Sequence, residues 1–290
     1  MGTGTKSLGR LTGRWGAMGA TGGVMGVTLL LLLSPLAAGA GHTYRPPYTS
    51  MVSSTSTYQG QQGCGTESIT TLPTWNSTSG VFTIAGKTSS KNCGASLAGV
   101  GGSSEGYFEG EIDLAMPVKV TASTHNVTVT WKVNAAVTSS YSPPKSCTGP
   151  STDLYFYCDV ASDYFIDGEA YLVDTTNGTY FYPTSYWEWY NESYNETEYD
   201  NFSGTPTWYN YSGAYSYGAP GSAIWYINSS YALNPRDSYV VVMYFYVDCD
   251  ADTYAYGYPT GPTLVGGSAS TSINMASGPN KATLTSISLV

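Results

Sequence analysis

Charged side chains are scarce in this sequence, at 11% of 290 residues, and bases are scarcer than acids. Helices use long charged side chains on their solvent-exposed faces, so this scarcity argues against a helical protein. Eleven lysines and arginines stand against 20 aspartates and glutamates, which gives a net charge of −9 without any basic cluster. Such a chain repels phosphate groups, and we therefore expect no nucleic-acid partner.

Catalytic and cofactor-binding motifs are also missing. A serine triad needs a histidine, and neither His42 nor His125 has a Gly-x-Ser-x-Gly or comparable motif near it. No Cys-x-x-Cys pair is present to hold zinc, and the glycine-rich stretch Gly94–Gly106 has no lysine placed to reach a phosphate. We expect a protein that is not an enzyme and that holds no cofactor, with calcium as the one alternative.

The long apolar run that is present lies at the N-terminus. Three basic residues among the first 14 precede the run Leu29–Leu33, and the small residues Ala38–Ala40 follow it. This order of basic, apolar and small residues predicts a secretory signal peptide over residues 1–40, cleaved after Ala40. The alternative is an uncleaved anchor that spans the membrane through residues 18–40. Both predict a secreted or cell-surface protein, whose mature part carries 8 bases and 20 acids, a net charge of −12.

Glycosylation sequons support export independently of the leader. Eight Asn-x-Ser/Thr sites occur where this composition would give about three by chance. We predict N-glycosylation at several of them: Asn76, Asn126, Asn177, Asn191, Asn195, Asn201, Asn210 and Asn228.

Five cysteines predict a disulfide framework with one cysteine left over. Proximity in sequence favours the pairs Cys64–Cys93 and Cys147–Cys158, with Cys249 free or intermolecular. Closing loops of this size stabilises a fold by about 3–4 kcal/mol each.

Strand patterns run through the mature part. Residues 126–137 alternate apolar and polar side chains, which is typical of a half-buried strand, and Tyr239–Val247 is apolar on both faces, which predicts a central strand. Thr175–Gly178 ends in Asn-Gly and predicts a hairpin turn. The proline-rich segment Thr138–Thr152 is interpreted as a loop. Further strands are predicted over Val81–Ala85, Tyr107–Leu114, Met116–Ala122, Asp153–Val160, Glu169–Asp174, Thr179–Tyr182, Ser222–Ile227, Ser268–Met275 and Lys281–Leu289.

About eleven short strands without a convincing amphipathic helix predict an all-β protein, an antiparallel β-sandwich with Ig-like or jelly-roll topology undetermined. Residues 41–290 form either one β-sandwich region or two halves, 41–142 and 153–290. Residues 183–222 contain no Leu, Ile, Val or Met but twelve aromatic residues, and this composition predicts an insertion at the surface.

Two ligand sites are proposed from composition. The flat rings of Trp187, Trp189 and Trp208 in the insertion could stack on sugars, although four neighbouring sequons favour tyrosines packed under glycans instead. The run Asp248, Asp250 and Asp252 offers carboxylates for calcium, but Thr253 and Pro259 depart from the EF-hand pattern.

The function predicted from these observations is a structural or adhesive, non-catalytic extracellular protein that assembles with copies of itself. Its nearly uncharged tail, Gly261–Val290, would donate a strand to a neighbouring copy. The alternatives are a carbohydrate-binding module that binds surface glycans through the insertion, and a calcium-stabilised adhesin.

Overall fold

The structure, a computed structural model, describes residues 41–91, 102–229, 232–258 and 262–290. The predicted leader and Cys93 lie outside the described residues. No helix occurs in the described part of the chain, which therefore contains none long and apolar enough to cross a membrane. The fifteen strands are β1 (His42–Tyr44), β2 (Val52–Gln62), β3 (Thr66–Asn76), β4 (Val81–Lys91), β5 (Gly102–Val118), β6 (Asn126–Asn134), β7 (Ala136–Thr148), β8 (Tyr155–Asp174), β9 (Thr179–Phe181), β10 (Trp187–Asp200), β11 (Thr207–Tyr217), β12 (Gly221–Asn228), β13 (Tyr239–Tyr258), β14 (Thr263–Asn274) and β15 (Lys281–Leu289).

Two antiparallel sheets pack face to face, which confirms the predicted β-sandwich. The first sheet has eight strands in the order β12-β6-β15-β4-β14-β7, with β1 beside β15 and β3 beside β4. The second has seven strands in the order β11-β10-β8-β13-β5-β2, with β9 beside β8. Both halves of the chain contribute strands to each sheet, and the described residues belong to one compact unit.

The core lies between the two sheets and is rich in large rings. Trp131 on β6 and Phe245 on β13 stack with ring centroids 5.3 Å apart, and Phe82 on β4 meets the same phenyl ring at 5.7 Å. These three side chains are fully buried. The disulfide Cys147–Cys158, whose Cα atoms are 6.0 Å apart, joins β7 of the first sheet to β8 of the second and confirms the predicted pair.

Several strand predictions are confirmed and others need correction. The hairpin at Thr175–Gly178 joins β8 to β9, and Gly178 takes the left-handed φ of 69° that the turn requires. The segment predicted as a loop, Thr138–Thr152, is largely the strand β7. Its prolines are tolerated because β7 pairs only with β14, so one edge of the strand needs no donors.

Two predicted breaks are also absent. One strand, β5, runs through Pro117, because β2 pairs only with residues 105–115 of β5 and leaves one edge of β5 unpaired at the proline. One strand of 20 residues, β8, replaces the two short strands predicted between Asp153 and Asp174. The tail predicted to be a strand donor forms β14 and β15 instead, and β15 lies between β6 and β4 inside the first sheet.

Candidate functional site

The outward face of the second sheet is the most distinctive surface of the molecule. Alternate residues of β13 enter the core, including Val241, Phe245 and Val247, while the residues between them face away from it. The central strands β8 and β13 pair along 20 residues, so this outward face is long and regular. Both strands place carboxyl and tyrosine side chains on it.

Sixteen of the 20 acidic residues of the protein lie on this face, and the seven strands of the sheet contain no Lys, Arg or His. The register assigns the acids to one face because each stands directly opposite an outward residue of the neighbouring strand. We call this surface the carboxyl face. Its acids are Glu105, Glu109, Glu111 and Asp113 on β5, Asp159, Asp163, Asp167 and Glu169 on β8, Glu188, Glu192, Glu196, Glu198 and Asp200 on β10, and Asp248, Asp250 and Asp252 on β13.

Carboxyl groups stand opposite one another across the strands. Asp163 lies between Glu192 on β10 and Asp250 on β13, and this row of three is the centre of the carboxyl face. Side chains directly opposite in an antiparallel pair have Cβ atoms about 5 Å apart, and like charges in such positions are destabilising. The other direct carboxyl pairs are Asp167 with Glu188, Asp159 with Glu196, Asp248 with Glu109, and Asp252 with Glu105.

Tyrosines fill the spaces between the acids. The Tyr244 hydroxyl donates a hydrogen bond of 2.9 Å to Glu169, and the Tyr190 hydroxyl donates one of 2.9 Å to Glu192. Rings also pack on each other, as Tyr157 and Tyr254 do at 5.3 Å between centroids. The rings shield the carboxyl groups from water while their hydroxyls provide some of the lost hydrogen bonds.

Burial among these side chains shifts Asp163 and Asp167 toward the protonated form. Desolvation, followed by the charges of Asp250, Asp248, Glu192 and Asp252, raises the pKa of Asp163 well above its ordinary value. Desolvation also raises the pKa of Asp167 to about 7, although a hydrogen bond of 2.6 Å from the Gly168 amide opposes the shift. A carboxyl with a pKa this high can hold or release a proton near neutral pH.

Two other acids of the carboxyl face follow the same rule. The pKa of Glu111 is raised by burial and then by the charge of Asp113, and the pKa of Glu188 is raised by burial.

A shallow cavity of about 290 Å³ opens at the end of the carboxyl face, where β9 gives way to β10. Asp167, Glu169 and Glu188 contribute its carboxyl groups, and Tyr186 and Tyr244 contribute its rings. This set of acceptors beside aromatic rings suits a ligand that presents several hydroxyl groups.

The three aspartates predicted for calcium all belong to the carboxyl face. They are alternate residues of one extended strand, so their Cα atoms are about 6.6 Å apart along it and their carboxyl groups form a row. Calcium needs oxygens converging at about 2.4 Å. Across the described ranges, no group of three or more His, Cys, Asp or Glu side chains is placed to hold a metal ion.

The three tryptophans predicted for sugar binding are not brought together. Trp187 and Trp189 lie on the inward face of β10, where Trp187 packs on the core and Trp189 is buried against Tyr164. Trp208 lies on β11 near the other end of the hairpin, against Phe156 and Tyr199. Because no aliphatic residue is available at the inward positions, aromatic rings fill the core at those positions.

The edges of the second sheet are open. At its two ends lie β2 and β11, each of 11 residues, each paired with one strand only among the described residues. Neither contains a charged residue or a proline, and the register of each with its neighbour runs without a bulge. Such edges expose rows of backbone donors and acceptors and are ready to pair with another strand.

The edges of the first sheet are protected. One edge, β3, carries Glu67, Pro73 and two irregularities of register, and another, β7, contains adjacent prolines and Lys145. The edge of β12 is covered by residues 183–185, since the Thr184 amide donates to the Tyr226 carbonyl and the Tyr226 amide donates to the Ser185 hydroxyl. The remaining edge, β1, is three residues long. Each device is known to block edge pairing.

The predicted modification sites take defined places. The sequon asparagines are exposed at 76, 126, 177, 210 and 228 and half-buried at 191, 195 and 201. Asn191, Asn195 and Asn210 occupy the inward side of the β10–β11 hairpin, opposite to the carboxyl face. Cys64 is disulfide-bonded, and its predicted partner lies outside the described residues. Cys249 is free and buried in the core.

Sequence reasoning missed the carboxyl face, although one signal was available. Within each of β5, β8, β10 and β13, nearly every acid has the same parity: odd numbers in the first two strands and even numbers in the last two, with Asp174 as the exception. Since parity selects the face of a strand, this pattern predicts one acidic face per strand. Only the order and register of the strands unite the four into one surface.

Comparisons with known proteins do not assign a function to this chain. No protein-family model and no curated protein matches it. Among solved structures, the family 11 carbohydrate-binding module from Clostridium thermocellum, in complex with a β-1,3-1,4-mixed-linked tetrasaccharide, aligns over 86% of this chain and 98% of its own, with 7% identity and a TM-score of 0.15. The structure of infectious bursal disease virus Gt strain aligns over 84% and 85%, with 9% identity and a TM-score of 0.09. TM-scores this low do not indicate a common fold.

Proposed function

We propose that this chain is an extracellular structural protein that assembles through the edges of its second sheet. The observation that carries the proposal is the contrast between the sheets, because every edge of the first is blocked or short while β2 and β11 are long, uncharged and open. Proteins that remain monomeric protect such edges. Because the edge strands at both ends of the second sheet are open, each copy can pair with a further copy at either end.

Strand directions favour pairing of β2 with β11 of the next copy. All neighbours in the second sheet are antiparallel, so direction alternates along the order β11-β10-β8-β13-β5-β2. The sixth strand therefore runs opposite to the first. A copy translated along the sheet would place its β11 antiparallel to β2 and keep both carboxyl faces on one side. This head-to-tail contact builds chains rather than closed dimers.

Lysine substitutions at each edge test the proposal. Thr57→Lys lies in the middle of β2 and Ala214→Lys in β11, both at exposed positions on the side opposite to the carboxyl face. We expect each to shorten assemblies measured by sedimentation velocity, with a dissociation constant raised at least about tenfold, or about 1.4 kcal/mol. The matched control is Ser142→Lys, which adds the same charge to the protected edge strand β7 and leaves assembly unchanged.

Mixing the two variants tests the head-to-tail arrangement. The first variant keeps an open β11 and the second keeps an open β2, so each alone assembles weakly and the mixture forms one-to-one dimers. Homodimers of either variant alone would show that identical edges pair instead. Monomeric wild-type protein at every concentration reached would contradict the proposal.

A second candidate function, binding of carbohydrate, is favoured by the cavity at the end of the carboxyl face. Its carboxyl groups accept hydrogen bonds from sugar hydroxyls, and the exposed ring of Tyr186 offers a flat surface for stacking. Glycan-array binding by the wild-type protein that Tyr186→Ala abolishes would support it. The control is Tyr258→Ala, an exposed tyrosine at the far end of the same face. Absence of binding, or binding that survives Tyr186→Ala, would contradict it.

A further inference from the structure

Exposed tyrosine rings stand on the outward side of both open edges of the second sheet. Among the 11 residues of β2, Tyr58 is the one aromatic residue, and it is 60% exposed although its ring packs on Tyr107 at 5.4 Å between centroids. The register places Tyr58 opposite Glu109, on the outward side of the sheet. On β11 the outward tyrosines are 41–55% exposed: Tyr209, Tyr211, Tyr215 and Tyr217. Tyrosine is enriched where two proteins meet, because its ring is apolar while its hydroxyl stays solvated.

Glycines let rings of the neighbouring strands reach over both edge strands. A Cβ at Gly60 would collide with the Tyr107 ring, which therefore lies across β2. On β11, a Cβ at Gly213 would lie 3.5 Å from the Tyr194 hydroxyl, which is ordinary contact. The outward surface beside each open edge therefore presents tyrosine rings, and small residues leave room for the rings of a second copy.

The proposed pairing of β2 with β11 brings these two sets of rings together. Both strands have 11 residues, so complete antiparallel overlap pairs the first residue of one with the last residue of the other. Tyr58, the seventh residue of β2, then stands directly opposite Tyr211, the fifth residue of β11, with their Cβ atoms about 5 Å apart.

A small change of register keeps this contact between rings. A shift of two residues in one direction places Tyr58 opposite Tyr209, and a shift of two in the other direction places it opposite Gly213. In the second case Tyr211 and Tyr215 are its diagonal neighbours, which aromatic side chains still reach. An outward tyrosine of β11 therefore lies within reach of Tyr58 in each register that overlaps most of both strands and keeps the carboxyl faces on one side.

We propose that Tyr58 and the β11 tyrosine that faces it, Tyr211 in complete overlap, form a site of oxidative coupling that joins neighbouring copies covalently as dityrosine. This site rests on the proposed function, because only pairing of β2 with β11 brings the two rings together. The covalent bond locks a contact that is otherwise held by backbone hydrogen bonds and side-chain packing.

The coupling is an oxidation, and its electron acceptor is a peroxide acted on by a haem peroxidase. Each phenol loses one electron and one proton and becomes a phenoxyl radical. A bond forms between the ring carbons ortho to the two oxygens, and the hydrogens of those carbons move as protons to the oxygens, which restores both phenols. Overall the two phenols lose two hydrogen atoms, and one hydrogen peroxide molecule is reduced to two molecules of water.

Tyrosine pairs within one copy provide an internal comparison. Tyr58 and Tyr107 have ring centroids 5.4 Å apart, and Tyr209 and Tyr211 are stacked at 6.2 Å. Oxidation of dilute monomers should therefore couple rings within the chain and leave its mass that of a single copy. Coupling of Tyr58 to β11 of a second copy gives covalent oligomers instead, so the two products separate under denaturing conditions.

Oxidation of the assembled full chain by a haem peroxidase and hydrogen peroxide tests the proposal. Isotopically labelled and unlabelled copies are mixed as dilute monomers, concentrated until they assemble, and oxidised. The products are separated under denaturing and reducing conditions, digested, and analysed by mass spectrometry. We expect covalent oligomers in which Tyr58 of a labelled chain is linked to Tyr211, or to an adjacent outward tyrosine of β11, of an unlabelled chain.

Tyr58→Phe assigns the link to the open edge. The variant keeps the ring but lacks the phenol, so the covalent oligomers should be lost when the variant is oxidised at a concentration where sedimentation shows the same degree of assembly as wild type. The matched control is Tyr180→Phe on β9, which removes a phenol that is 53% exposed and belongs to neither open edge. This control should form covalent oligomers as wild type does.

The outcomes separate this site from the assembly on which it rests. Hydrogen exchange that shows β2 and β11 protected, together with no link at Tyr58, would overturn the site and leave the assembly in place. Oligomers linked at other tyrosines, which Tyr58→Phe does not remove, would overturn it as well. A chain that stays monomeric at every concentration contradicts the proposed function, and the coupling site fails with it.

Discussion

The two sheets of this protein share a core and differ in almost everything they present to the outside. The first sheet ends in short, bulged, proline-containing or covered strands and carries most of the bases of the described chain. The second sheet ends in two open strands and carries the carboxyl face. The difference teaches that one layer of a sandwich can have protected edges while the other layer, on the same core, keeps open edges and an acidic outward face.

The largest effect on the free energy of unfolding is expected from removing a side chain that packs between the two sheets. Phe245→Ala removes the buried ring that meets Trp131 and Phe82 of the first sheet, and should lower the free energy of unfolding by about 3–5 kcal/mol. The next residue, Tyr246, faces outward, and Tyr246→Ala should cost only about 1 kcal/mol at pH 4. Denaturant unfolding of both variants measures the two values. Equal losses would contradict the assignment of inward and outward faces.

The second largest effect on stability is expected from removing the disulfide that links the two sheets. Replacing Cys147 and Cys158 together by serine opens a link between β7 and β8 and should cost about 3 kcal/mol by the loop-entropy relation. Reduction of the wild-type protein also opens the disulfide of Cys64 and should therefore lower its stability by more than the double replacement does. Cys249→Ser places a hydroxyl in the core and serves as the control for cysteine removal as such. A double variant as stable as wild type would show that packing alone holds these strands together.

A smaller effect on stability is expected from removing one acid of the carboxyl face. Asp167→Asn keeps the acceptor for the Gly168 amide and removes an acid whose pKa is about 7. It should stabilise the protein by about 1–2 kcal/mol at pH 8, after allowance for solvent screening, and change little at pH 4. Chemical denaturation at the two pH values provides the measurement. Stabilisation of the same size at both values would show an effect of shape rather than of charge.

The sequence predicts the parts of this fold that alternate in hydrophobicity. β6, β12 and β15 bury one face against the other sheet, so their apolar residues recur with a period of two and predict the sandwich class. The central position of β13 follows from its unbroken apolar run, Tyr239–Val247. Close spacing in sequence was also enough for Cys147–Cys158.

The strands that escaped prediction are those with no aliphatic face. β2 is almost wholly exposed and contains mainly Ser, Thr and Gln, β7 contains prolines that only an edge tolerates, and β10 builds its inward side from tryptophan, tyrosine and asparagine. Their pairing is set by neighbouring strands rather than by their own pattern. The open edge β2 is such a strand, and the carboxyl face joins one such strand, β10, to β5, β8 and β13, so both features emerge only when register and order are known.

Hydrogen exchange of the backbone amides tests the central claim most directly, by comparing dilute monomeric protein with concentrated assembled protein. We predict that assembly slows exchange in β2 and β11, where new strand pairs form, and leaves exchange in β3, β7 and β12 unchanged. Slowing at the edges of the first sheet, or assembly that protects neither β2 nor β11, would contradict the claim that the second sheet is the one built for contact.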